Sequence, residues 1–292
     1  MEYITLSRTD GITSKGSPFI TLKLANLDET INVAVWDVPK TLGPKVGQLV
    51  SFLNIRDNAG KKSAGMNDMM VREMPTKEHP LYHLLPRPVE RDKWDATLDK
   101  LVSYCTDDRL IGLIRNFGDK LYAPYSKYPA ATSVHHAFPG GLLNHTWQML
   151  HMLEGLYPVL PYDDVKPERC ILAILFHDYG KVYEYNYEGE TQEAMYLLGH
   201  IYISAYKLHD ELKKVYADAD GKLSREADAE ISRIVHCVLA HHGEREYGSP
   251  VMPCMQEAVI VNYLDNLSAK TDAITGAGHM EKVFALDTHV VK

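Results

Sequence analysis

Seven side chains in the second half of this sequence could together hold metal ions: His145, His177, Asp178, His200, His241, His242 and Asp265. They are imidazoles and carboxylates, with no thiolate among them. That donor set suits manganese, iron, cobalt, nickel or zinc rather than calcium. His177 and Asp178 stand in Leu175-Phe176-His177-Asp178-Tyr179-Gly180-Lys181, directly after the apolar run Ile171 to Phe176. A charged pair at the end of a core helix is costly unless something neutralises it, and a divalent ion does so. The two oxygens of Asp178 can reach two ions. As merely structural residues, the seven would strand many polar groups in the interior. Two ions side by side can activate a water and clamp the attacking and leaving oxygens of a phosphodiester. Lys181, one turn after Asp178, is placed to offset charge on a phosphate oxygen. The alternative for it is a solvated lysine favoured by a helix end.

These ligands are far apart in sequence, so helices must gather them. From residue 93 on, apolar residues recur at three- and four-residue spacing. This predicts helices over Asp95–Tyr104, Arg109–Leu121, Leu142–Leu156 after the Gly140-Gly141 break, and Cys170–His177 with Pro167 at its first turn. Leu197–Tyr216, Glu226–Leu239 and Met255–Ile274 complete the set. His135 and His136 fall in the loop before Gly140, where they could contact a phosphate or brace the loop. Lys270 follows Asp265 by five residues, so substrate contact and a surface ion pair are equally open to it. His236 lies inside an apolar run and reads as a core histidine.

The first 72 residues differ. Ile20, Leu22 and Leu24 alternate with polar neighbours, as do Ile31, Val33 and Val35, and turn signals follow at Leu27–Thr30 and Asn58–Lys61. About five short strands in this length suit a small barrel of the OB type. Trp36 falls on the opposite face from Ile31, Val33 and Val35. It could stack a base or pack against the second domain. Residues 73–92 contain Pro75, Pro80, Pro86 and Pro88 and read as a linker. The predicted organisation is an all-β barrel over 1–72, a linker over 73–92, an all-α domain over 93–274 and a tail over 275–292.

Composition narrows the function classes. The chain has 292 residues, 45% of them apolar, and a net charge of −8, which argues against a general nucleic-acid coating protein. It does not exclude a nuclease, because a metal site attracts phosphate through the ion. No apolar run spans a bilayer, and Met1 to Thr5 begins no signal peptide. The four cysteines form no CxxC pair. A reduced, cytoplasmic protein is expected, with no membrane partner.

The ordered ligands resemble those of the HD-domain superfamily of metal-dependent phosphohydrolases. The resemblance implies that His145, His177, Asp178 and Asp265 hold one ion. His200, His241 and His242 then hold a second, with Asp178 between the two. Pro129-Ala130-Ala131, His135 to Thr146, Leu198-Gly199-His200-Ile201, His241-His242-Gly243 with Tyr247 to Pro250, and Asp265 to Lys270 resemble the YhaM-type 3′–5′ exoribonucleases, in which an OB domain precedes the HD domain. The resemblance implies a two-metal phosphodiesterase, most simply a 3′–5′ exonuclease on single-stranded RNA, with DNA also open as a substrate, and with a metal-activated hydroxide attacking phosphorus. Manganese is the first expectation for the ions, with iron, cobalt, nickel, zinc or magnesium also open. Two departures stand out. Asn144 precedes His145 where that family leads one to expect an acidic residue. Gly141 stands where three-metal relatives carry a glutamate, which argues against a third ion.

Two other readings compete. One is a phosphohydrolase of small nucleotides or cyclic dinucleotides. The near balance of 8 Lys/Arg against 7 Asp/Glu in residues 1–71 favours it mildly. The other is a non-catalytic single-strand-binding adaptor with structural metals. Several helices have broad apolar faces, so self-association into a homo-oligomer is open.

Overall fold

The computed structural model describes residues 1–39, 41–76, 78–131, 135–161, 164–186, 190–276, 282–283 and 286–291. Seven strands form one N-terminal sheet: β1 Glu2–Ile12, β2 Pro18–Ala25, β3 Thr30–Trp36, β4 Leu49–Phe52, β5 Arg56–Asn58, β6 Lys61–Gly65 and β7 Met69–Arg72. Their order is β5-β6-β3-β2-β1-β4-β7. The alternating apolar residues pair in register, with Ile20 opposite Val35, Leu22 opposite Val33 and Leu24 opposite Ile31. All six are buried together with Val50. β1 pairs with β4 at its start and with β2 over the rest, and its register shifts between Thr5 and Ser7. Such an irregularity bends a strand, and the sheet curls into a half-barrel. β5 and β6 escape the sequence reading because Arg56 to Lys62 is mostly charged and carries no alternation. Their sheet contact is the parallel pairing of β6 with β3.

The stretch from 73 is structured where it meets each domain. A 3₁₀ turn over Pro80–Leu84 seats Leu81 against Ile4, Ala25 and Leu49 of the barrel. Further on, Val89 N–H donates to Asn144 Oδ1 at 2.7 Å, and Asn144 Nδ2 donates to Arg87 O at 2.9 Å. The Tyr122 hydroxyl donates to Val89 O at 2.9 Å. Each end of the connection is thus fastened to the domain it adjoins.

The helical part comprises α1 Arg91–Val102, α2 Asp108–Tyr125, α3 Gly141–Leu156, α4 Pro167–Phe176, α5 Lys181–Glu184, α6 Glu193–Leu197, α7 His200–Tyr216, α8 Arg225–Leu239 and α9 Gln256–Gly276. Every residue of α4 is buried, and it packs against α2, α3, α8 and α9. That central place explains its nearly unbroken apolar sequence, since a helix covered on all sides needs no polar face. Its one internal cation, Arg169, is paired with Glu230 at 2.7 Å and Glu257 at 2.8 Å. The Tyr125 hydroxyl donates to Leu175 O at 2.7 Å, satisfying a carbonyl near the end of α4. After α9, β8 Lys282–Val283 and β9 Thr288–His289 form a short hairpin. Among the described residues no helix is long and apolar enough to cross a membrane.

Candidate metal centre

His177 caps the C-terminal end of α4, and Asp178 follows it. His145 comes from the first turns of α3, His200 opens α7, His241 and His242 follow α8, and Asp265 lies midway along α9. Five helices therefore point their ligands at one spot. Gly180 permits the close approach of α7: a Cβ there would lie 2.3 Å from His200 O. Its N–H donates to Ser204 Oγ of α7 at 2.8 Å, locking the start of α5 against α7.

The two oxygens of Asp178 face different partners. Oδ2 lies 3.2 Å from His177 Nε2, 3.7 Å from His145 Nε2 and 2.7 Å from Lys181 Nζ. Oδ1 lies 3.6 Å from His200 Nε2 and 4.0 Å from His241 Nε2. Asp265 Oδ1 stands 3.1 Å from His145 Nε2, on the Oδ2 side.

Each imidazole is held in one tautomer by what its Nδ1 touches. His177 Nδ1 donates to Ile174 O at 2.8 Å, His241 Nδ1 to Val238 O at 2.6 Å and His242 Nδ1 to Tyr247 O at 2.7 Å. His200 Nδ1 donates to the Glu184 carboxylate at 3.2 Å. His145 Nδ1 donates to Ser268 Oγ at 2.9 Å, and Ser268 in turn donates to Gln148 Oε1 at 2.8 Å. With every Nδ1–H committed, each Nε2 lone pair is left as the free donor atom of its ring. His145 Nε2 and His177 Nε2 face each other at 3.1 Å. Two lone pairs at that distance need a cation between them. Asp178 Oδ1, His200 Nε2 and His241 Nε2 are buried with no hydrogen-bond partner among the described residues. Buried polar atoms are almost always satisfied, so these three orphans and the facing lone pairs fit divalent ions.

At the two carboxylates, at His241 and at Lys181 the electrostatics agree with the donor chemistry, while at His177 burial is outweighed by Asp178, which raises the ring above its ordinary value. Burial alone would raise the Asp178 carboxyl, but Lys181 and His177 hold it well below the usual carboxylate range. Burial would likewise raise Asp265, and His145 outweighs it, so that carboxyl too stays ionised. Burial pushes the His241 ring well below its ordinary value, with His242 and His177 adding to the effect. Lys181 keeps its charge because Asp178 overcomes the cost of its burial.

The seven expected ligands thus converge, with Lys181 among them. His135 and His136 border them, their rings 5.3 and 5.5 Å from that of His145. Burial pushes their pKa values down to about 3 and about 4. Lys270 is exposed on α9 and makes no ion pair among the described residues. Trp36 is 42% exposed and packs on Phe19 of the same sheet, at 5.2 Å between ring centres. His236 is only half-buried and accepts a hydrogen bond from Cys254 N at 3.1 Å. Sequence reasoning missed Glu184, Ser268 and Gln148, which orient ligands without being ligands. A carboxylate one turn after Lys181 was the only signal for Glu184.

A family model described as HD domain matches residues 142–270. The helical part of this chain thus contains an HD domain over residues 142–270. Over nearly its whole length the chain is also similar to proteins named 3′–5′ exoribonuclease YhaM. It is 28% identical to that of Bacillus subtilis, across 96% of this chain and 90% of the relative. It is 29% identical to that of Bacillus velezensis, across 98% and 91%. The relative from Bacillus licheniformis is 28% identical, across 96% and 90%. No solved structure matches the chain. The similarity extends through the β half-barrel as well as the HD domain.

Proposed function

We propose that this protein is a cytoplasmic, metal-dependent 3′–5′ exonuclease acting on single-stranded RNA. The observation that carries this reading is the divided environment of Asp178, whose Oδ2 faces the ring nitrogens of His145 and His177 and whose Oδ1 faces the unpartnered ring nitrogens of His200 and His241. Two divalent ions, manganese first, fit these sets. His145, His177, Asp178 and Asp265 would hold one, and His200, His241, His242 and Asp178 the other. When bound, such ions supply an activated water and electrostatic stabilisation of a phosphodiester under attack.

The chain's own residues do the rest. Lys181, held charged by Asp178, offers a fixed positive group beside the scissile phosphate. Ser268 and Glu184 fix His145 and His200 with their Nε2 atoms toward the site, which spares reorganisation when substrate arrives. The half-barrel over 1–72, read as an OB domain, would hold the strand, with Trp36 as a stacking surface worth roughly 1–3 kcal/mol per base. The relatives' name, exoribonuclease, supports RNA as the substrate class.

The test is a gel assay on 5′-labelled single-stranded RNA with Mn²⁺ or EDTA, for wild type and His177→Ala/Asp178→Ala. A Mn²⁺-dependent ladder shortening from the 3′ end, absent in the variant, is expected. Intact RNA with turnover of dinucleotides would instead favour the small-nucleotide reading, which the near-neutral charge of the half-barrel supports.

A further inference from the structure

His136 is 2% exposed, and neither of its ring nitrogens makes a hydrogen bond of ordinary length among the described residues, although Gln148 stands near enough to interact with the ring; His135 Nδ1 also lacks a partner. The nearest carboxylate oxygen, Asp272 Oδ2, stands 3.7 Å from His136 Nδ1, beyond hydrogen-bond reach. Unpartnered nitrogens this deeply buried call for a ligand.

The backbone is forced into place to present them. His136 has φ +45°, a left-handed conformation that a side-chain-bearing residue rarely adopts. Three hydrogen bonds hold it there: His136 N–H donates to Asp272 Oδ2 at 2.6 Å, and His136 O accepts from Ala130 N at 3.1 Å and Phe138 N at 2.9 Å. Gly141 completes the clamp, since a Cβ there would sit 1.9 Å from His136 O. That contact also accounts for glycine at this position. A loop braced on so many sides has no need of a buried and a half-buried histidine ring for its own stability.

A further metal ion is a poor fit. His145, the third imidazole near the pair, has both nitrogens turned elsewhere, Nδ1 to Ser268 and Nε2 to His177 and Asp265. An imidazole offers a donor and an acceptor on its two nitrogens, whereas a phosphate only accepts. A vicinal diol both donates and accepts. In a chain cut from its 3′ end, the departing nucleotide lies one sugar's width from the phosphorus and carries such a diol.

We propose that His135 and His136 form the subsite for the 3′-terminal sugar, hydrogen-bonding its 2′ and 3′ hydroxyls and so selecting RNA ends over DNA ends. This rests on the nuclease reading above.

The test uses the full chain with Mn²⁺ and one RNA sequence ending in a ribonucleotide, a 2′-deoxynucleotide or a 3′-phosphate. Wild type is expected to remove the ribonucleotide about tenfold faster or more, in kcat/KM, than the deoxynucleotide. It should remove the 3′-phosphate end most slowly. His135→Gln and His136→Gln are expected to bring the ribo-to-deoxy ratio toward one. A folding defect would lower both rates together and leave the ratio unchanged. Wild type that degrades the RNA with equal rates on ribo and deoxy ends overturns the inference while leaving the nuclease reading intact. So does a ratio preserved in both variants, or a preference for the 3′-phosphate end that the variants lose. Wild type that degrades none of the three overturns the nuclease reading itself, and the inference with it.

Discussion

Asn144 immediately precedes His145, where the YhaM resemblance leads one to expect an acidic side chain. Its amide accepts from Val89 N and donates to Arg87 O, and a carboxylate cannot make both bonds. Asn144→Asp is therefore expected to set an acceptor against an acceptor and to cost about 1–3 kcal/mol, read as a lower midpoint in urea unfolding. Glu184 shows the opposite case, a residue whose role could not be read from sequence. It accepts from His200 N at 2.6 Å as well as from the ring, so Glu184→Ala frees the ring to turn. Metal affinity should fall about 10- to 100-fold, which Mn²⁺ titration of the apoprotein would register. Unchanged affinity would show that the helix alone fixes His200. The convergence of the candidate ligands was legible because their types are expensive to bury without a cation. Their orienting partners were not, because a serine, a glutamine or a glutamate has many ordinary uses, and only geometry picks one.

Among the elements, α4 decides most. It delivers His177 to the centre from the most enclosed position in the HD domain, and the apolar run preceding the doublet made its place legible in advance. Its other end depends on Arg169. Arg169→Ala would leave the Glu257 carboxylate buried without its cation, and about 3–5 kcal/mol of stability should be lost. Glu230, on α8, adds a pH signature. Burial tends to raise its carboxyl, but Arg169 outweighs burial and holds it below the ordinary value. A folded-state value below the unfolded one means the contribution is complete above about pH 4.3 and is lost as pH falls through the lower, folded value. The stability gap between wild type and Glu230→Gln should accordingly be open at pH 6 and close on acidification. A gap independent of pH would remove the ion pair from the explanation. The strands were readable where alternation was strict, in β2 and β3. They were not readable in β5 and β6, whose polar residues are held by pairing with their neighbours rather than by burial.

For the whole molecule, the convergence of five helices on one centre ties metal binding to folding. Ions that bind only the assembled site stabilise it by mass action, by about 2.7 kcal/mol at a hundredfold excess over Kd. The thermal midpoint should rise with Mn²⁺ and fall with EDTA, and a midpoint indifferent to both would mean that the site is filled by protons instead. Removal of the half-barrel is the natural test of how labour is divided between the two parts. A cut after residue 72 would leave Leu81 stripped of its partners Ile4, Ala25 and Leu49, so the truncation belongs after Leu85. The shortened protein should retain hydrolysis of short oligonucleotides and lose affinity for long ones.

The connection fastened by Leu81 at one end and by Asn144 at the other has a last consequence. If a strand is gripped at the half-barrel and trimmed at the HD domain, the interval between grip and blade is set by the protein and not by the substrate. Digestion would then slow abruptly once the remaining strand is too short to span that interval, leaving end fragments of one characteristic size whatever the starting length. The connecting segment would act as a molecular ruler.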